Sequence, residues 1–253
     1  MANTATNDSY DRIGVGYSRR RRADPRIESP ITTALGDARS VVNVGAGSGS
    51  YEPSDRIVLA VEPSEEMASQ RPPGAAPCIR ANAERLPLAD HSFDAAMGIL
   101  TIHHWADPEC GLRELARVGR RIVLLTYEPA IHWAFWLWQE YVPRAASLTS
   151  GNELPVEQVA SIIGADRVET VLIPHDCSDG FGLAYWRRPQ EYLDPEVRQC
   201  ISGLARLSAK DVEPGLRRLR QDLDSGSWQE RHRDLLELDA IDGGLRLVVR
   251  ESP

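Results

Sequence analysis

Short apolar runs broken by small, polar turns are the chief pattern of this chain. Val41-Val42-Asn43-Val44 is brief and largely β-branched, and it ends at once in Gly45-Ala46-Gly47-Ser48-Gly49, which predicts a buried strand closing in a tight turn. Ile57 to Val61 repeats the pattern and finishes on an acid, Glu62. A short third strand is predicted at Cys78 to Ala81, and Phe93 to Ile102 is apolar enough for a strand buried on both faces. Arg121 to Tyr127, Arg167 to Pro174 and Leu245 to Arg250 predict the fifth, sixth and seventh strands.

Helical periodicity fills the gaps. Ser64 reads as an N-cap ahead of Glu65, Glu66 and Met67, and Pro72-Pro73-Gly74 stops that element. Leu112 to Val118 and Leu154 to Gly164 carry apolar stripes, as do 195–207, 213–223 and 228–238. Strands alternating with helices predict an α/β fold around a mostly parallel sheet. The long gap before the last strand predicts a helical insertion, 176–242, beside a core made of 10–175 and 243–253. Residues 1–9, small and polar, predict a disordered lead-in.

The glycine turn carries the candidate chemistry. Glycine tolerates positive φ and lets a ligand lie against main-chain N–H groups, and Glu62 at the next strand end is placed to accept both hydroxyls of a ribose. A dinucleotide fingerprint needs its third glycine at position 50, where Ser50 stands, whereas the third glycine is Gly49. A ligand without a pyrophosphate fits better.

With Asn82-Ala83-Glu84-Arg85-Leu86-Pro87 and Ser92-Phe93-Asp94 following in order, the chain resembles class I S-adenosylmethionine-dependent methyltransferases. The resemblance implies a Rossmann-like seven-stranded sheet with the helical insertion as a lid. It implies S-adenosyl-L-methionine as cofactor, with Tyr17, Gly45, Ala46, Gly47, Glu62, Pro63, Met67, Asn82, Ala83, Glu84, Ile99 and Leu100 around it and no metal. The segment ahead of the first strand is expected to fold over the cofactor's methionine end. Met67 either packs under the adenine or is plain core. The family's aspartates at positions 43 and 82 are Asn here, and its helix after the glycine turn is replaced by a short stretch containing Pro53.

Past the fourth strand stand His103-His104-Trp105, either a satisfied helix-entry loop or a contact to the methyl acceptor. By its place in the motif His104 is the catalytic candidate, a base tuned near neutral pH. Ile131 to Tyr141 holds three of the six tryptophans and covers nearly every helix direction, so Trp133, Trp136 and Trp138 are expected to wall an acceptor pocket.

A net charge of −8 argues against nucleic acid as main partner. The lone lysine, Lys210, excludes a Walker-type phosphate loop. The four cysteines, Cys78, Cys110, Cys177 and Cys200, show no zinc spacing. With no apolar run near the ~18 residues of a membrane span and no signal-like start, a cytoplasmic monomer or homodimer acting on a small molecule is expected. The alternative is a non-catalytic S-adenosylmethionine-binding regulatory protein, which the short loop and the two Asn positions motivate.

Overall fold

The computed structural model describes residues 21–147 and 153–251; the lead-in and Tyr17 lie outside them. Its frame is a seven-stranded sheet in the order β3-β2-β1-β4-β5-β9-β6. β1 (Ser40–Val44), β2 (Ile57–Val61), β3 (Cys78–Ile79), β4 (Phe93–Ile99) and β5 (Gly119–Tyr127) run parallel. β6 (Arg167–Thr170) and β5 flank β9 (Leu245–Arg250), which is antiparallel to both.

The two faces are covered differently. Asp24 caps α1 (Pro25–Leu35), its side chain accepting from the Arg26 amide, with Pro25 in the first turn where a missing N–H costs nothing. This helix lies outside the elements expected from periodicity, although Asp24-Pro25 is a start signal. Its stripe of Ile27, Ile31, Ala34 and Leu35 is buried with Met97, Val123, Leu125 and Val249. α2 (Glu65–Ser69), capped by Ser64 as expected, links β2 to β3, while the opposite face carries α3 (Pro108–Val118) and α4 (Val156–Ile163). Leu112, Leu115, Val159 and Ile163 pack there with Val42, Ile122, Leu124 and Val248.

Two strands are shorter than the apolar runs predict. β4 ends at Ile99 because Leu100 takes a left-handed φ of 51°, a conformation that costs an ordinary residue about 1–3 kcal/mol. The sixth run divides: β6 stops at Thr170, and Ile173–Pro174 (β7) pairs with Ala240–Ile241 (β8) in a separate two-stranded sheet. Pro174 has no N–H to extend a ladder, so this small sheet instead joins the two ends of the insertion.

The insertion shares the core of the α1 face. Trp136, Trp138, Trp186, Tyr192 and Trp228 are buried in one cluster with that sheet face. Trp136 Nε1 donates to the Trp186 carbonyl at 3.1 Å, and Trp186 Nε1 donates to the carbonyls of Ile173 and Pro174 at 3.1 and 3.2 Å. Trp136 is therefore a structural anchor, not a pocket wall. The turn at Leu137–Tyr141 is a π turn closed by Val142 N to Leu137 O at 2.9 Å, and it lets Trp136 and Trp138 serve different sides.

α5 (Ala209–Ser225) crosses this turn at Gly215, where a Cβ would stand 1.8 Å from the Tyr141 carbonyl oxygen. Overpacking of this kind costs about 1–3 kcal/mol. Gly215→Ala is expected to lower Tm by roughly 2–4 °C per kcal/mol in a chain of this size; an unchanged melting curve would mean that α5 does not seat against the turn.

Candidate active site

The parallel strands end at one edge, and two cavities open there. The first, a cleft of about 1110 Å³, is lined by the glycine turn, Glu62 to Ser64, Met67, Asn82 to Glu84 and Ile99 to Thr101. All the expected cofactor residues that are described, Gly45, Ala46, Gly47, Glu62, Pro63, Met67, Asn82, Ala83, Glu84, Ile99 and Leu100, border it, as does His104. Arg21, one of the run Arg19 to Arg22 ahead of the first strand, borders it too, whereas sequence reasoning missed Ser48, Ser50, Tyr51, Ser64, Thr101, Trp105 and Ala106.

The turn is wound tightly by its own bonds. Gly45 N and Ala46 N donate to Val61 O at 2.9 and 3.1 Å, and Gly47 N donates to Glu62 Oε2 at 2.8 Å. These amides are committed within the fold, so a ligand meets the turn by close approach and not through those N–H groups. Gly45 has φ 71°, and a Cβ there would lie 1.9 Å from Thr101 Oγ1. Only glycine fits.

Glu62 is 7% exposed, and its other oxygen accepts the Ser64 amide at 2.9 Å. Each carboxylate oxygen has a second lone pair, and the residue borders the cleft, so vicinal hydroxyls can be received by a group already fixed in place. Asn43 is explained too: its Nδ2 donates to Glu52 Oε1 at 3.0 Å, and Glu52 pairs with Arg71 at 2.6 Å. An aspartate at 43 would face that carboxylate. Asn43 Oδ1 is buried without a partner in a residue that lines the cleft, an acceptor suited to a ligand ammonium. Glu84 Oε1 accepts the amides of Ala106 and Asp107 at 2.7 and 3.1 Å, so its carboxylate holds the cleft wall. Nothing in the structure accounts for Asn82 in place of an aspartate.

No helix follows the glycine turn; Tyr51, held at φ 64°, reaches into a buried knot instead. Its hydroxyl donates to Asp179 Oδ2 at 3.0 Å and accepts the Asp24 amide at 3.3 Å, while Arg21 Nε pairs with Asp179 Oδ1 at 2.6 Å. Asp24 Oδ2 also accepts the Ser178 amide at 2.9 Å. Arg26 beside Asp24 holds that carboxyl well below the usual range, and burial pushes the Tyr51 hydroxyl far up.

The second cavity, about 950 Å³, joins the first at Arg21, Leu100 and His104. Its wall includes Tyr127, His132, Trp133, Trp138 and Glu153, with Phe181, Leu183 and Ile201 from the insertion. The Tyr127 ring stacks on His132 at 4.3 Å, and His132 meets Trp133 edge-on at 4.8 Å. His103 and His104 touch at 3.8 Å between centroids. Burial lowers His103 and His132 to about 3 and drives His104 well below its ordinary value, with His103, Arg206 and Arg21 adding repulsion to His104. The expected tuning of His104 near neutrality is thus replaced by a ring held neutral. Arg206 Nη2 lies 3.4 Å from His104 Nδ1; because guanidinium only donates, this contact favours the tautomer with the proton on Nε2.

Among the described residues no cluster of His, Cys, Asp or Glu is arranged to hold a metal ion, and no helix is long and apolar enough to cross a membrane. Residues 42–123 match the family model for a methyltransferase domain. A structure from Anabaena variabilis, assigned as a methyltransferase of an antibiotic biosynthesis pathway, is similar at 34% identity and a TM-score of 0.83, covering 91% of this chain and 98% of that one. Demethylmenaquinone methyltransferases are similar as well: that of Mycobacterium sp. (strain KMS) is 30% identical over 174 residues, 64% of this chain and 76% of the relative. That of Mycolicibacterium vanbaalenii is 28% identical over 195 residues, 74% and 82%.

Two measurements test this site. Glu62→Ala is expected to weaken S-adenosylmethionine binding by on the order of 1.5–3 kcal/mol, or one to two decades in Kd; calorimetry giving an unchanged Kd would remove Glu62 from the ribose. The histidines set a pH dependence. Their folded values lie below the ordinary 6.5, so below that pH the unfolded chain binds protons that the native one excludes. Stability is full above pH 6.5 and falls as pH drops through 6.5 toward 3. Tm should decline steadily from pH 7.5 to 4.5; a flat profile would mean that the rings are freely solvated.

Proposed function

This chain belongs to the class I S-adenosylmethionine-dependent methyltransferases, and on that footing we propose that it methylates a small-molecule acceptor held in the aromatic second cavity. The observation that carries this reading is the junction of the two cavities at Leu100 and His104, where a residue just past the strand edge borders both ligands at once. The aromatic wall of the second cavity favours an apolar or aromatic acceptor; of the relatives, one kind is named for demethylmenaquinone and another is assigned to antibiotic biosynthesis. A specialised metabolite suits that pattern. The enzyme uses S-adenosyl-L-methionine as methyl donor, and the residues present fit it. Glu62 would take the ribose, Asn43 Oδ1 the ammonium, and Asn82, Ala83 and Met67 the adenine surroundings.

When bound, S-adenosylmethionine supplies an electrophilic methyl that the acceptor nucleophile takes in line. What the protein adds is alignment and shelter from water. Leu100, strained at the junction, fixes the backbone there, and the lid roofs the acceptor side. His104, neutral with its proton on Nε2, orients the acceptor by a hydrogen bond. Its depressed pKa makes it a weak proton acceptor, so positioning outweighs base strength.

His104→Ala should lower kcat by roughly ten- to a hundredfold with little change in cofactor Kd. The wild-type rate should show no ionisation between pH 6 and 8 that the variant lacks. Equal loss of cofactor binding would make His104 structural, and a lost inflection in that range would make it a titrating base.

A further inference from the structure

The second cavity is electrically lopsided. Arg206 borders it beside His104 at the junction with the first cleft, where Arg21 is already paired with Asp179, while Glu153 borders it as well. Tyr127 Oη donates to Glu153 Oε1 at 2.6 Å, and Trp133 Nε1 donates to Oε2 at 2.7 Å. Both donors are neutral. Among the described residues no arginine, lysine or histidine pairs with Glu153, although this arginine-rich chain pairs many of its other half-buried carboxylates, Glu52 and Glu114 among them. The histidines packed on Tyr127, His103 and His132, are held uncharged by burial. A half-buried carboxylate without a counter-charge is costly, and this one lies among the rings of Tyr127, Trp133 and, through His132, Trp138. Aromatic faces around a carboxylate are what recognises an ammonium group.

We infer that the Glu153 end of the second cavity is a recognition site for an ammonium group on the methyl acceptor, with Glu153 as its counter-charge. The site deepens the proposed function and rests on it. The ammonium is a handle and not the methylated atom. Tyr127 meets His103 at 5.0 Å and His103 meets His104 at 3.8 Å between ring centroids, so the ammonium on Glu153 and the nucleophile at the His104 junction engage different residues of the wall. Arg206 repels a cation from that junction and fixes the acceptor's direction: ammonium at Glu153, nucleophile at His104. The class of acceptor is an aromatic or polycyclic amine whose nucleophilic atom lies at the opposite end.

Calorimetry on the full chain saturated with S-adenosylhomocysteine tests this with two probes that differ only by the amino group, tyramine and 4-ethylphenol. Tyramine is expected to bind at least about tenfold tighter to the wild type. Glu153→Gln should abolish that preference while leaving 4-ethylphenol affinity unchanged. Equal affinities in the wild type, no tyramine binding, or a preference that persists in Glu153→Gln would each overturn the assignment. The wild-type comparison stands even if the variant fails to fold. Absence of S-adenosylhomocysteine binding in the first titration would instead count against the methyltransferase reading itself.

Discussion

Two carboxylates with no exposed surface, Asp24 and Asp179, fasten the helical insertion to the nucleotide-binding half of the molecule. Burying a carboxylate is tolerated only when its lone pairs are filled, and here they are filled by different parts of the chain. Asp24 takes the first-turn amide of α1 and the Ser178 amide; Asp179 takes Arg21 and the hydroxyl of Tyr51. The N-terminal approach, the loop after the glycine turn and the start of the insertion therefore meet at one point. The insertion is thereby anchored beside the second cavity, which it helps to line.

The same economy shapes the cofactor cleft. A helix after the glycine turn would normally present its N-terminal amides to an anionic ligand group. This chain has Tyr51 and Pro53 there, and the turn's own amides are occupied by Val61 and Glu62. In the proposed reading, recognition passes to side chains, with Glu62 fixed by the Gly47 and Ser64 amides and Asn43 Oδ1 buried without a partner at the cleft. The exchange of an aspartate for Asn43 is thus tied to Glu52, which the shortened loop brings against the first strand and which Arg71 neutralises.

Between the cavities the backbone is under tension. Leu100 is one of three described non-glycine residues with positive φ, and Tyr51 is another. Both lie where a ligand would touch the protein, and both are held by longer-range bonds: Leu100 N to Leu125 O at 2.8 Å, and Tyr51 Oη to Asp179. Strain of this kind persists where the surroundings over-determine the conformation. It sets the side chains of Thr101 to His104 at the strand edge and so fixes what each cavity sees.

Much of this was legible in the sequence because it depends on local pattern. The glycine spacing, the acid closing β2, the Ser64 cap and the β-branched runs are short-range signals, and they mark out the sheet and the wall of the first cleft from Gly45 to Leu100. Other features arise only when distant residues meet. No periodicity sends Trp136 into the core and Trp133 into a cavity; the break that ends the helix at Trp133 and the seat of Trp186 decide that. A histidine reads as a titrating group until burial shows that its charged form is too costly. The knot between Asp24 and Asp179 joins residues 155 positions apart, and Glu153 gains its meaning only from Tyr127 and Trp133, which tertiary packing sets beside it. Local chemistry is written in the order of residues, while desolvation and the pairing of charges exist only once the chain has closed on itself.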